Sequence, residues 1–390
     1  MAGSAAGAML SAAEARAAEA LLANAWGEPV EVRAAAAIWE RRHVVRLSLD
    51  TGRTAVLKRR RDRGGWRGGP AFRVELAALE YLNAMPEPVA PRLLGADAEA
   101  GILLIEDLGE GASLADSLLA GGRERVQAEL IAYAEALGSM HAWSMGHAGE
   151  LDYLLIRHAP GAAHGTRWLE VIQRSTAPFL SAAASLGVAV DGVAEEIDQL
   201  RATLAGPGYL GLVHGDACPD NVRFIGGTCR IFDFETSGWG PVAFDAAYLV
   251  APFPTCWCFA SLPADIAGPA INAYRARLAV AGVSLGQEWE DLITAALAGL
   301  IIARAHILAR ALQEDSEWGT TTLRPRLLTW LASFTARDGD GNLPRLRATA
   351  EAMRDRLAAR WQGLRIPDYP ALAQAGSVLA RAPDGWRPVL

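Results

Sequence analysis

The chain has 390 residues, 51% of them hydrophobic and 21% charged, with a formal net charge of −7. This is globular composition, long enough for two packed units, and its mild acidity excludes generic nucleic-acid or anionic-membrane binding as a first reading. The longest apolar run, 292–303, lies between Asp291 and Arg304 and is too short to span a bilayer.

Residues 1–27 read as a separate N-terminal helix. They have no basic start, and Glu14 and Glu19 enter early, so a helix is expected and not a secretory leader. Ser11 with Glu14 three residues on has the spacing of a capping box. After Gly27-Glu28-Pro29 come three β-rich pieces, "VEVRAAAAIWE", "HVVRLSLD" and "TAVLKRR". The last two are joined by Asp50-Thr51-Gly52-Arg53, a hairpin turn. The glycine-rich basic loop "RDRGGWRGGP", containing Trp66, reads as solvated. A helix follows in "AFRVELAALEYLNAM", with Phe72, Leu76, Leu79 and Leu82 near one face, and Pro86 and Pro88 stop it. With the strands "APRLLGAD" and "GILLIEDLG", residues 28–108 read β-β-β-α-β-β.

From Leu108-Gly109 to the C-terminus, residues 109–390, the pattern is mainly helical. The interruption is a β-rich stretch, "GYLGLVHGD", "NVRFIGG" and "TCRIFDFE", with Gly226-Gly227 as a turn. Cys218, Cys229, Cys256 and Cys258 contain no C-x-x-C pair, so free thiols in a reducing cytoplasm are expected. A zinc set of His214, Asp216 and Cys218 is disfavoured. His141 reads as a core residue, and His147, His158 and His164 as loop histidines without metal-ligand spacing. "TARDGDGN", 335–342, reads as a solvated turn.

Two features carry chemistry. The first lies within 212–249: His214-Gly215-Asp216, then Asn221, then Asp233-Phe234-Glu235 at the end of a strand. Short flanking strands bring Asp216, Asn221 and Asp233 to one point. Asn221 and Asp233 suit Mg²⁺, a hard cation that takes carboxylate, amide, water and phosphate oxygens. Asp216 is left to orient a substrate hydroxyl and accept its proton. The second is Lys58, the one lysine among 37 basic residues, at the end of an apolar run. It is either a chance residue of an arginine-biased composition or a position that needs a compact ammonium.

The pattern HGD-x-x-x-x-N followed by I-x-D-F-E resembles the aminoglycoside phosphotransferase and choline kinase family. The resemblance covers roughly residues 28–250 and implies an α+β protein-kinase-like fold. A small antiparallel lobe with one helix, 28–108, would bind the nucleotide, and a helical lobe, 109–390, would carry the catalytic loop and acceptor site. It implies that Lys58 pairs the α- and β-phosphates of ATP or GTP, with Glu75 holding the ammonium. Backbone groups near Glu106 and Leu108 would meet the base, with Ile105 lining its pocket. His214 would brace the loop. Glu235 would join a second magnesium or cap the next segment, and Asp245 would anchor the loop or N-cap its helix. The family pattern departs at "AAAAIWERRH", where a glycine-rich phosphate cradle is expected and no glycine occurs.

The resulting expectation is a cytoplasmic, Mg²⁺-dependent small-molecule kinase acting on a hydroxyl of an antibiotic or metabolite, with no nucleic-acid or membrane partner. The alternatives are a catalytically silent kinase-like binding protein or nucleotidyl transfer on the same fold. An acceptor site is expected among the helices after residue 150, around Trp257 or Glu288 to Glu290.

Overall fold

The computed structural model describes residues 9–38, 41–61, 69–160, 167–251, 253–337, 343–364 and 366–373. Trp66 with most of the basic loop, His164, and residues 338–342 lie outside them. The chain forms two compact units. A sheet unit comprises residues 1–111, 147–162 and 230–238, and a helical unit comprises 112–146, 163–229 and 239–390. In chain order the main elements are α1 (Ala12–Trp26), β1 (Val32–Ile38), β2 (Arg41–Leu49), β3 (Thr54–Arg59), α2 (Gly69–Leu82), β4 (Leu93–Asp97) and β5 (Ile102–Glu106). They continue with α3 (Leu114–Ala120), α4 (Arg123–Met145), α5 (Ala148–His158), α6 (Arg167–Ser185), α7 (Val193–Leu204), β6 (Leu210–Val213), β7 (Val222–Ile225), β8 (Thr228–Ile231) and β9 (Gly238–Pro241). The rest comprises α8 (Ala243–Val250), α9 (Ala264–Val280), α10 (Gln287–Ile302), α11 (Ala305–Gln313), α12 (Leu323–Thr335) and α13 (Pro344–Arg360). This is the α+β class expected from the sequence.

In the sheet unit five antiparallel strands run in the order β1-β2-β3-β5-β4. The β2–β3 turn has Gly52 at φ 78°, a left-handed conformation that a side chain disfavours. Alternation along β3 sorts its side chains. Ala55 and Leu57 join Leu22, Val45, Leu47, Ile102 and Leu104 in one apolar cluster. Val56 and Lys58 therefore project from the other face, where Lys58 meets α2. The α1 helix begins with the capping box expected from Ser11 and Glu14. Glu14 also accepts from Arg59 Nε at 2.5 Å, which ties α1 to β3.

In the helical unit, Leu130, Leu137, Ile197, Leu200, Leu212 and Ile293 are buried in the core. β6 pairs with β9, and β7 with β8 through Gly226-Gly227, both at positive φ. One buried cation organises the later part of this unit. Arg326 is fully enclosed and donates to the carbonyls of Pro254, Cys256, Trp257 and Trp318 at 3.2, 2.7, 3.3 and 2.6 Å. Its guanidinium lies 4.8 Å from the Phe259 ring centroid and 4.4 Å from that of Trp318. Burial pulls its pKa down to about 9, and the carbonyls and ring faces offset much of that cost.

No single helix among the described residues is long and apolar enough to cross a membrane. The pair α10 and α11, bent by 48° at their break, passes that test together by length and composition. α10 is a core helix, with eleven buried residues from Trp289 to Ile302.

Candidate functional site

The sheet unit carries one cluster of candidate residues. Lys58 Nζ donates to Glu75 Oε1 at 2.5 Å and to Asp233 Oδ1 at 2.8 Å. Three remote segments meet here: the end of β3, the middle of α2 and the turn after β8. Glu75 is 3% exposed, on a helix whose other residues are mostly apolar and buried. Glu80 faces elsewhere, paired with Arg157 and with His158 Nε2 at 2.7 Å. His158 is thus the last residue of α5 with an acidic partner, and not a loop histidine. Asp233 occupies the left-handed region at φ 70°, ψ 56° and begins a short turn over Phe234–Thr236. Aspartate tolerates that region better than most residues. Glu235 lies in this turn with Arg61 at 3.5 Å.

The electrostatics follow from one ammonium facing several acids. Burial alone lowers a lysine pKa, but Asp233 and Glu75 more than offset it, and Lys58 is held above the ordinary lysine range. Burial raises Glu75, Lys58 lowers it, and Asp233 and Glu235 add to the rise, for a result of about 7.

The helical unit carries the other cluster, on the loop between β6 and β7. Gly215 has φ 78°, which turns the chain sharply before Asp216. Asp245 sets the loop. Its Oδ2 accepts from His214 N at 2.5 Å and its Oδ1 from Gly215 N at 3.0 Å. Asp245 is therefore the loop anchor of the two roles weighed for it. It does not N-cap α8, whose N-cap position is Val242. His141 completes the anchor, with Nε2 3.2 Å from Asp245 Oδ2 and Nδ1 2.8 Å from Tyr274 Oη. The His214 ring is buried, and its Nδ1 accepts from Asp216 N at 3.3 Å. Asn221 Nδ2 donates to the Asp216 carbonyl at 2.9 Å and to Asp216 Oδ2 at 3.3 Å. Tyr133 Oη donates to the Ala217 carbonyl at 2.8 Å.

Cys218 and Cys256 are joined by a disulfide with an S–S distance of 2.16 Å. This corrects the expectation of four free thiols; Cys229 and Cys258 are the free, buried ones. The two bonded cysteines are 38 residues apart and adjoin only through the fold, so their spacing carried no signal. The next residue, Trp257, donates from Nε1 to Asp220 Oδ2 at 2.9 Å. Trp257 thus adjoins the loop. Glu290 is bridged by Arg275 and Arg337, so its carboxylate serves helix packing.

At the end of β5, the Glu106 N–H donates to the Arg92 carbonyl at 2.8 Å. That N–H is used inside the unit. The neighbouring Asp107, not singled out from the sequence, receives Arg46 Nε at 2.7 Å and Nη2 at 3.2 Å. Among the described residues no group of three or more His, Cys, Asp or Glu side chains is placed to hold a metal ion.

A sequence model of the phosphotransferase enzyme family (APH) matches residues 31–282. That is more than half of the chain, and it takes in Lys58, Glu75, Asp216, Asn221, Asp233 and Asp245. The chain belongs to this phosphotransferase family. Membership supports a small-molecule kinase as its general class. Solved structures to which the chain is similar include an aminoglycoside phosphotransferase from Alicyclobacillus acidocaldarius, at 12% identity over 84% of this chain and 93% of that one, TM-score 0.46. A choline/ethanolamine kinase family protein from Mesorhizobium loti matches at 15% identity over 86% and 98%, TM-score 0.45. A macrolide 2'-phosphotransferase from Brachybacterium faecium matches at 17% identity over 76% and 89%, TM-score 0.44. No curated protein sequence matches the chain at a significant level.

Proposed function

We propose that the chain moves the γ-phosphate of ATP or GTP to a hydroxyl of a small molecule. The observation that carries this is Lys58, the one lysine of the chain, held by Glu75 and Asp233 from segments up to 175 residues away. A structural ion pair in this arginine-rich chain has no need of a lysine, whereas a phosphate-pairing ammonium does.

Residues 28–108 supply the nucleotide site and residues 109–390 the acceptor site. Lys58 pairs the phosphates and Glu75 fixes its direction. The Glu106 carbonyl and the Leu108 backbone meet the base. Asp216 orients the acceptor hydroxyl and takes its proton as the oxygen bonds to phosphorus. His214 and Asp245 hold the loop that presents Asp216. Asn221 and Asp233 would hold Mg²⁺, with Glu235 beside them. The donor set fits a hard cation: with Asn221 Nδ2 directed at Asp216, the amide turns its oxygen the other way, and Asp233 is a carboxylate. The ion supplies charge neutralisation to the phosphate oxygens.

The test is release of ADP or GDP across a panel of hydroxylated metabolites and antibiotics, for the wild-type chain and Asp216→Asn. Acceptor-dependent release by the wild type, lost in the variant, is expected. Equal turnover by both would remove Asp216 from its role. The mass of the product separates transfer of phosphate from transfer of a nucleotide. A second reading, nucleotide binding without transfer, has one observation in its favour. No glycine occurs from Val32 to Leu49, where a glycine-rich cradle is expected. Nucleotide affinity without product from any acceptor would support it.

A further inference from the structure

A bound triphosphate needs donors for its oxygens, and consecutive backbone amides in a glycine-rich turn are the usual source. The sequence of β1, β2 and their connection lacks that source. There is no glycine from Val32 to Leu49, and the antiparallel ladder continues to the Ile38–Arg41 pair. Charge deepens the shortage. Glu75 and Asp233 contact Lys58, and the charge of Glu235 adds to the field at Glu75. Three carboxylates around one ammonium would repel a polyanion unless a second cation were supplied.

β3 runs on into three arginines, and the structure distinguishes them. Arg59 is bound to Glu14 and the Met9 carbonyl. Arg60 Nη1 donates to the Ala98 carbonyl at 3.2 Å, and its side chain packs against Gly101. Both hold the unit together. Arg61 instead sits at the acidic cluster, its Nη2 3.5 Å from Glu235 Oε2, with side-chain exposures of 13% and 16%. That distance is beyond a good hydrogen bond, so the pair is held by charge with little directional bonding.

We propose that Arg61 is a phosphate-binding residue of the nucleotide site, a side-chain replacement for the missing amide cradle that rests on Glu235 until a triphosphate takes it over. The planar guanidinium can donate two parallel hydrogen bonds to phosphate oxygens. This rests on the kinase reading above, and the experiment separates the two.

The experiment is calorimetric titration of the wild-type chain, R61A, R61K and E235Q with ATP, ADP and adenosine, and with the guanine series, in the presence of Mg²⁺. A charged hydrogen bond of this kind corresponds to about ten- to a hundredfold in affinity. R61A should weaken triphosphate binding by that factor, diphosphate less and the nucleoside not at all. R61K should recover part of the loss. Equal losses for triphosphate and nucleoside in R61A would overturn the proposal. So would matching, non-additive losses in R61A and E235Q, which would make Arg61 only a tether for Glu235. Thermal unfolding of each variant reports its folding, and R61Q carries the same expectation if R61A does not fold. A wild-type chain that binds neither nucleotide series would overturn the kinase reading itself, an outcome distinct from any difference among variants.

Discussion

The two groups of candidate residues are held in place by different physics. In the sheet unit, Lys58, Glu75 and Asp233 are positioned by each other's charge, and each is a partner that the others need in order to stay buried. In the helical unit, the Asp216 loop is positioned through its backbone, by amides directed at Asp245, a carbonyl held by Tyr133 and a covalent link at Cys218. The Asp216 carboxylate accepts from Asn221 Nδ2 at 3.3 Å, a long contact beside those backbone ties. The first arrangement ties function to stability, because removing a member strands a buried charge. The second separates them, so a reacting group can be changed while its scaffold stands.

The sharpest way to break this comparison is Asp216→Asn. Turnover should fall by about 10²- to 10⁴-fold while the thermal midpoint stays put, as read by steady-state kinetics beside calorimetry. A large drop in midpoint would show that the loop depends on the Asp216 carboxylate after all. Next in size is Lys58→Met. Loss of the ammonium leaves Glu75 and Asp233 facing each other, and urea unfolding should report a loss of about 3–5 kcal/mol. Burial has already raised Glu75, to about 7. In the variant Lys58 no longer opposes that rise, so the folded state binds more protons than the unfolded chain, and stability should fall as pH rises from 4.5, the ordinary Glu value, through about 7. A flat pH profile would break the charge-held account.

Much of this was legible in the sequence, for local reasons. Ser11 with Glu14, Asp50-Thr51-Gly52-Arg53 and Gly226-Gly227 encode their own caps and turns, so they needed no tertiary context. Lys58 stood out because composition made it unique, and Glu75 because the family resemblance implied a glutamate on the helix after that strand. Relations across the fold were not legible. The Cys218–Cys256 link, the exchange between Asp107 and Arg46, and the bridge from His141 to Tyr274 join residues whose spacing follows no repeat. Asp245 shows the middle case: its place near a helix start was readable, whereas its two amide donors come from a loop 30 and 31 residues upstream.

Two smaller measurements sharpen the contrast. Cys256→Ser should cost the helical unit roughly 2 kcal/mol, with an effect additive to Lys58→Met because the two sites share no partners. Without reductant, the denatured wild type should present two reactive thiols, Cys229 and Cys258; four would show that the link is absent. The smallest expected effect is Glu14→Gln in the sheet unit. The hydrogen bond with Arg59 is the main cause that lowers Glu14 from 4.5 to about 2. The stabilisation is present above 4.5 and disappears as pH falls toward 2. For this partly exposed pair it should be about 1 kcal/mol at neutral pH, and chemical denaturation at pH 7 and pH 3 should show the gap closing.

The enclosed guanidinium of Arg326 has a kinetic consequence. It joins α12 to a segment 69 to 72 residues earlier in the chain. Closing so long a span must precede the reward of those contacts. Refolding of the helical unit should therefore contain a step that waits for α12, before which the segment around Cys256 lacks the contacts that Arg326 supplies. A chain cut short before α12 would keep the Asp216 loop and still lack the side chain that holds the segment around Cys256.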